Sequence, residues 1–234
     1  MAQPRYSDRM ADQTIVPIGG GKFCDGLAEF LVRLTGKERP RVLYIGTASA
    51  EDPEQALRTY DRFAGIAEVT RLEFFPWPPE DLRSTVLDQD VVFVGGGNTA
   101  NMLAIWRLHG VDSLLAEAWD AGIVLCGTSA GGICWFESGV TDSFGPQLEQ
   151  MDCLGFLSGS FCPHWDDEEQ RRPRYHELLK NGLGAGYAAD AGVGLHFVNG
   201  ELQEAVGCDE GTGAYRLEVV DGEVVETPIP TRAL

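Results

Sequence analysis

Ile123-Val124-Leu125-Cys126-Gly127-Thr128-Ser129-Ala130-Gly131-Gly132 decides the fold. A short apolar run stops at a serine set among small residues. Residues 127–131 read G-T-S-A-G, which fits the G-x-S-x-G nucleophile elbow. The pattern has a steric cause. The chain must turn sharply from strand into helix and hold the serine in a strained backbone conformation with its Oγ exposed. Glycines at 127 and 131 remove the Cβ atoms that would collide in that turn. The helix that follows points free N–H groups at the reacting centre, where negative charge develops. An ordinary glycine-rich strand-to-helix connection has the same local spelling, so the rest of the chain must discriminate.

Working outward, the pattern alternates between strand and helix. Thr14–Ile18, Arg41–Ile45, Val69–Phe75 and Asp90–Val94 read as strands. Between them, 24–34, 53–63 and 80–87 carry helical spacing, and 101–107 and 112–119 follow before the elbow strand. Strands apolar on both faces, alternating with helices, predict an α/β protein: a three-layer α/β/α arrangement around a mainly parallel sheet. In such sheets ligand chemistry gathers at the carboxyl ends of the strands. Gly95-Gly96-Gly97-Asn98-Thr99 and Thr128–Gly132 both lie there. Beyond the elbow the pattern predicts strands at 157–162, 193–198, 202–206, 215–220 and 224–229, antiparallel toward the C-terminus, and a charged helix over 168–180. No repeat or linker divides the 234 residues, and 44% hydrophobic content supports one domain, with residues 1–12 as a loose arm.

A formal net charge of −18 argues against nucleic acid or anionic membrane as partners. Six dispersed cysteines, with no C-x-x-C pair, suggest neither a zinc site nor a disulfide framework, and read as reduced core residues. The polar opening Met1–Gln13 does not read as a signal peptide, and no apolar run spans a bilayer. The expectation is a cytoplasmic chain, monomeric or homodimeric, that needs no metal or cofactor.

A serine nucleophile requires a base, an orienting acid and oxyanion donors. Of four histidines, His164 follows a predicted strand directly and is held by Pro163, so it reads as the base. The oxyanion donors would be the backbone N–H groups of Ala130, next to the nucleophile, and Gly97, in the glycine run. That run lacks the Lys-Ser/Thr of a P-loop and the G-x-G-x-x-G spacing of a dinucleotide site.

The motifs V-G-G-G-N-T (94–99), G-T-S-A-G-G (127–132) and C-P-H-W (162–165), in that order, resemble those of the peptidase E and cyanophycinase family of serine peptidases. The resemblance runs from about Val42 to Gly200. It implies a fold similar to the class I glutamine amidotransferases, with Ser129 as nucleophile, His164 as base and Gly97 and Ala130 as oxyanion donors. Asn98 and Thr99, within the first motif, would border the substrate. The family's third catalytic residue is an acid just before the late strand. Asp190 stands there, one place ahead of the aligned Ala191, with Asp166 as its competitor. Arg171, before E-L-L at 177–179, is similar to an arginine that holds a substrate carboxylate in peptidase E; a solvated basic face is the alternative.

The reading is therefore a serine exopeptidase, dipeptidase-like, acting on dipeptides or short peptides. Two alternatives stand beside it. An α/β-hydrolase esterase would use Ser129, Asp190 and His196 in that order. A binding protein would have kept the pocket and lost the acid.

Overall fold

The computed structural model describes residues 12–234, so the expected arm over 1–12 lies outside them except for Asp12. The first half follows the predicted alternation: β1 (Thr14–Ile18), α1 (Asp25–Leu34), β2 (Arg41–Ile45), a 3₁₀ turn (Thr47–Ser49), α2 (Pro53–Phe63), β3 (Glu68–Leu72), α3 (Leu82–Leu87), β4 (Val91–Val94), α4 (Thr99–His109), α5 (Val111–Asp120) and β5 (Val124–Thr128). Local chemistry sets the boundaries. Asp52 accepts the Glu54 N–H at 2.9 Å and Pro53 opens α2. Gly110, in the left-handed region at φ 72°, closes α4 and lets α5 start in a new direction.

These strands form one side of an eight-stranded sheet, in the order β14 (Thr231–Ala233), β11 (Glu201–Gly207), β10 (Val193–Val198), β1, β5, β4, β2, β3. The run β1-β5-β4-β2-β3 is parallel throughout. Successive residues of each strand serve opposite layers. Ile15, Leu43, Val92 and Leu125 pack toward α4 and α5, while Val16, Tyr44, Phe93 and Cys126 pack toward α1 and α2. That is the expected three-layer core. β5 sits between β1 and β4, so its carboxyl end, where Ser129 lies, is flanked by the loops that follow both neighbours.

After β5 come α6 (Ala130–Ile133), β6 (Phe136–Thr141), β7 (Glu149–Asp152), β8 (Leu157–Cys162), α7 (Arg171–Lys180), β9 (Gly186–Ala189), β10 (Val193–Val198), β11 (Glu201–Gly207), β12 (Ala214–Val220), β13 (Glu223–Ile229) and β14 (Thr231–Ala233). The sequence did not disclose a second, six-stranded sheet, β13-β12-β9-β8-β6-β7. Its hidden strands carry weak signals. β7 is E-Q-M-D, a polar edge, and β9 is G-Y-A-A, whose Ala188 packs under α7. One face of this sheet stacks Phe136 on Phe161 and sets Phe136 and Tyr187 edge-on to Phe197 of β10. The other face buries Cys162, Ala188 and Leu217 against Tyr175 and Leu179 of α7. The C-terminal strands are antiparallel from β10 to β11 and from β12 to β13, as expected, but β14 returns parallel to β11.

The cysteine expectation is corrected at one pair. Cys24 and Cys208 form a disulfide, with Cα atoms 6.0 Å apart. They are 184 residues apart, so spacing alone cannot reveal a pairing that arises only when the end of β11 returns beside the start of α1. Cys126, Cys134 and Cys162 are free and buried, as read. The bridge closes most of the chain into a loop, and such cross-links typically add about 2–4 kcal/mol by restricting the unfolded state. The double variant Cys24→Ser/Cys208→Ser is therefore expected to unfold at lower denaturant than the oxidised protein, and dithiothreitol should shift the parent but not the variant. Equal midpoints for all samples would mean the bridge adds no stability. No helix among the described residues is long and apolar enough to cross a membrane.

Candidate active site

Ser129 occupies the turn between β5 and α6 with φ 54° and ψ −112°, a conformation L-residues rarely adopt. The flanking glycines are sterically required. A Cβ at Gly127 would lie 2.5 Å from the Val94 carbonyl oxygen, and one at Gly131 would run into the same carbonyl. The turn is pinned by the Ser129 N–H donating to the Ile18 carbonyl at 3.0 Å, and by the Gly132 N–H donating to the Ser129 carbonyl at 2.8 Å. The strain is thus held by β1 and β4 on either side of β5.

His164 arrives from the other sheet, two residues after β8. It too has positive φ, 58°, and its N–H donates to the Gly19 carbonyl at 2.7 Å. Gly20 lies against the imidazole so closely that a Cβ there would be 2.5 Å from Nε2. The ring is thereby wedged toward the elbow, and Nε2 is 2.9 Å from Ser129 Oγ. Nucleophile and base, 35 residues apart, meet within hydrogen-bond reach.

The other ring nitrogen meets a carboxylate the sequence reading passed over. His164 Nδ1 is 3.1 Å from Asp167 Oδ1, with Glu168 Oε1 at 3.7 Å. Residues 165–167 form a turn, and the Glu168 N–H donates back to the His164 carbonyl at 3.3 Å. A turn returns the side chain three places on to the ring, whereas the side chain at two places on points away. Asp166 accordingly accepts the Ala191 N–H at 2.8 Å instead. The Asp190 expectation fails for a related reason. Its Oδ2 accepts the Gly213 N–H at 2.6 Å, tying β9 to the start of β12, and its Oδ1 is buried with no partner among the described residues. The signal for Asp167 was its i+3 spacing from His164. That spacing becomes a contact only because residues 165–167 turn. The esterase order fails as well: His196 lies within β10, edge-on to Phe30, 3.9 Å from Glu204.

Burial pushes the Asp190 carboxyl above its ordinary value, opposed by the Gly213 hydrogen bond and reinforced by Asp166 and Asp167. With the folded pKa raised, the unfolded chain gives up its proton first. The stability this group contributes is full below the unfolded carboxylate pKa and is lost as pH rises through the folded value. Asp190→Asn keeps an oxygen for Gly213 and removes the titration. It is expected to flatten the stability curve above about pH 4, where the unfolded carboxylate loses its proton, and to leave the midpoint at neutral pH equal or higher. Chemical denaturation across that range checks this; a midpoint at pH 7 well below the parent's would contradict it.

Arg171 is not placed to meet substrate. It is 3% exposed, its Nε donates to Glu168 Oε2 at 2.7 Å and its Nη1 to the Val140 carbonyl at 2.8 Å. It anchors the turn that carries Asp167 and Glu168. Asn98 caps α4, accepting the Asn101 N–H at 2.8 Å and donating to the Ser143 carbonyl at 2.9 Å. Thr99 is fully buried, 3.4 Å from the Thr141 hydroxyl. Both hold the glycine loop in place rather than border the cavity. Gly97 itself has φ 141°, and a Cβ there would strike the Ala48 carbonyl. Gly96 packs against Ser129, its Cβ position 3.3 Å from that of the serine. Among the described residues, neither the Gly97 nor the Ala130 N–H donates to a protein acceptor. Ser129, His164 and the Gly95–Gly97 loop line a cavity of about 770 Å³, walled by α2 and by the Gly21–Phe23 loop.

The model of peptidase family S51 matches residues 9–205. The chain belongs to that family. It is 44% identical over 227 residues to the uncharacterized peptidase YgaJ of Bacillus subtilis (strain 168), covering 94% of this chain and 98% of that one. The fold is shared with the crystal structure of a peptidase from an acI-B1 Actinobacterium, at TM-score 0.70 and 16% identity, covering 95% and 96% of the two chains. It is also shared with a provisionally named peptidase E protein from Listeria monocytogenes EGD-e, at TM-score 0.57 and 15% identity, covering 94% and 100%.

In this S51 chain the thiols near the site are poor nucleophiles. Burial pushes Cys162, two residues before the histidine, up to about 12, and raises Cys126 well above its ordinary value. His164, Asp167 and Glu168 offer three ligand atoms within 4.8 Å of one another, a spacing a divalent cation could use. The side chains of His164 and Asp167 also form the chain that ends at Ser129.

Proposed function

We propose that this S51 chain is a serine-type exopeptidase that hydrolyses dipeptides or short peptides. One observation carries the reading: a strained, half-buried Ser129 whose Oγ lies 2.9 Å from an imidazole whose other nitrogen meets Asp167 at 3.1 Å. In the proposed mechanism Ser129 attacks the scissile carbonyl as His164 Nε2 takes its proton. Asp167 fixes the tautomer that leaves Nε2 free to accept and stabilises the imidazolium that forms. The Gly97 and Ala130 N–H groups hold the tetrahedral oxyanion. His164 then gives its proton to the leaving amine, and water hydrolyses the acyl-enzyme by the same route. A cavity of about 770 Å³ suits a small ligand enclosed on several sides, rather than an extended chain. The site needs no cofactor in this scheme. In the expected cytoplasmic setting, where thiols are kept reduced, Cys24 and Cys208 would stand as a dithiol rather than a bridge.

The test pairs a fluorophosphonate probe with a dipeptide and amino-acyl-amide library. Covalent labelling at Ser129, blocked by a turned-over dipeptide, supports the proposal. Labelling at another residue, or turnover unaffected by full labelling of Ser129, rejects it.

A further inference from the structure

Tyr44 lies one residue from the end of β2 and lines the same cavity, yet it is only 2% exposed. Two glycines house its hydroxyl. A Cβ at Gly95 would be 2.8 Å from Tyr44 Oη, and one at Gly46 would be 3.2 Å from it. Side chains at either position would close the space. Despite this, the hydroxyl oxygen has no hydrogen-bond partner among the described residues. The hydroxyl of Ser49 lies close enough to favour the ionised phenol slightly, but it donates to the Gly46 carbonyl at 3.0 Å and does not meet Tyr44 Oη in hydrogen-bond geometry. A buried hydroxyl without a partner costs stability and usually marks a group that a ligand or ordered water completes. Burial raises the Tyr44 phenol above its ordinary value, so it stays neutral and able to donate.

The wall above it is cationic, in a chain of net charge −18. Lys22, Arg58 and Arg62 line the cavity, with Asp61 the one acid among the lining residues. Two of these cations are engaged. Lys22 Nζ is 2.5 Å from Asp209, and Arg62 Nη1 is 2.7 Å from Asp25. Arg58 comes no nearer than 3.9 Å to Glu54 and makes no hydrogen bond among the described residues. It projects from α2 on the same face as Gln55, Thr59 and Arg62, all of which line the cavity. Arg58 and Tyr44 thus line one cavity. A planar guanidinium and a neutral phenolic O–H lining one cavity make a donor set matched to a carboxylate.

We propose that Arg58 and Tyr44 form a carboxylate-binding subsite of the catalytic cavity, with Arg58 setting specificity and the Tyr44 hydroxyl donating the orienting hydrogen bond. The subsite rests on the peptidase reading only for its consequence on turnover. The carboxylate could be the free C-terminus of a short peptide or an acidic side chain, and the experiment separates them.

Binding is read first, in the inactive Ser129→Ala protein, by thermal shift with three probes. N-acetylalanine carries only a terminal carboxylate, the α-amide of N-acetylaspartate only a side-chain carboxylate, and N-acetylalanine amide carries neither. One of the first two is expected to raise the melting temperature while the amide does not, and that probe names the source. Adding Arg58→Gln should weaken its binding about tenfold or more, and Tyr44→Phe by a smaller factor, because a charged partner contributes more than a neutral one. Arg58 is exposed on a helix, so its substitution leaves the fold intact. Equal shifts from all three probes, or shifts unchanged by Arg58→Gln, overturn the subsite. In the active protein the same variant should raise KM for the carboxylate-bearing dipeptide and leave kcat nearly unchanged. Its uncharged counterpart, amidated or with Asn for Asp, should be unaffected. If the probes bind as expected but no dipeptide is cleaved, the subsite stands and the peptidase reading fails.

Discussion

Ser129→Ala is expected to lower turnover by on the order of 10⁴-fold or more while the fold stays intact. The substitution removes the one atom that attacks, and the His164 imidazole, 2.9 Å away, then has no proton to take. Stability should change little. The strained turn is pinned by backbone bonds to Ile18 and Gly132 that alanine keeps, and φ 54° is as unfavourable for alanine as for serine. Ser129→Gly sharpens the contrast. Glycine adopts positive φ without cost, and strain of this kind is worth about 1–3 kcal/mol. The glycine variant should therefore be as inactive as the alanine variant and more stable than the parent. Purified variants compared by peptide hydrolysis and denaturant midpoint give both numbers. Parent-level turnover in Ser129→Ala would end the serine mechanism. An inactive glycine variant with a lowered midpoint would show that the turn is not under strain.

The parts of this site that the sequence discloses are those fixed by local chemistry. Gly127, Ser129 and Gly131 form one turn, and the collision of a Cβ with Val94 explains why two of the three must be glycine. The parallel strands β1, β5, β4 and β2 are short runs buried on both faces, which is why their pattern is continuous rather than alternating. What stays hidden is set by contacts across the chain. β7 and β9 have no apolar signature of their own because they take their place from β6, β8 and β12. Cys24 and Cys208 are ordinary until β11 returns beside α1. Arg171 sits in a charged stretch that reads as solvated, yet α7 turns it inward to the Val140 carbonyl and Glu168. The glycine loop misled in the opposite sense. Asn98 and Thr99 follow the glycines directly, but a helix starts at that point, and an Asn there caps the helix before it can serve a ligand.

Asp167→Asn is expected to lower turnover by about 10²–10⁴-fold, and Asp190→Asn to leave it within a few-fold of the parent. An imidazole that gains a proton during reaction needs a negative charge on its far side, and a fixed tautomer that leaves Nε2 free to accept. Asp167 at 3.1 Å from Nδ1 supplies both. An amide there can donate to Nδ1, which moves the ring proton to Nε2, where it blocks acceptance from Ser129. The loss should be smaller than for Ser129→Ala, for two reasons. Asp167 is 43% exposed, so water screens its charge, and Glu168 stands 3.7 Å from the same nitrogen. Glu168 is held off by Arg171, which takes its other oxygen at 2.7 Å. Glu168→Gln alone should therefore have a small effect, while Asp167→Asn/Glu168→Gln should lose more than the two single effects combined, because the second carboxylate substitutes for the first only when the first is gone. Asp190 contributes to none of this, because its oxygens face Gly213 and the protein interior. Steady-state rates for these four variants on one dipeptide separate the assignments. A collapse in Asp190→Asn with an unaffected Asp167→Asn would mean that the resting turn at 165–167 opens in the working enzyme and that the acid before the late strand takes over.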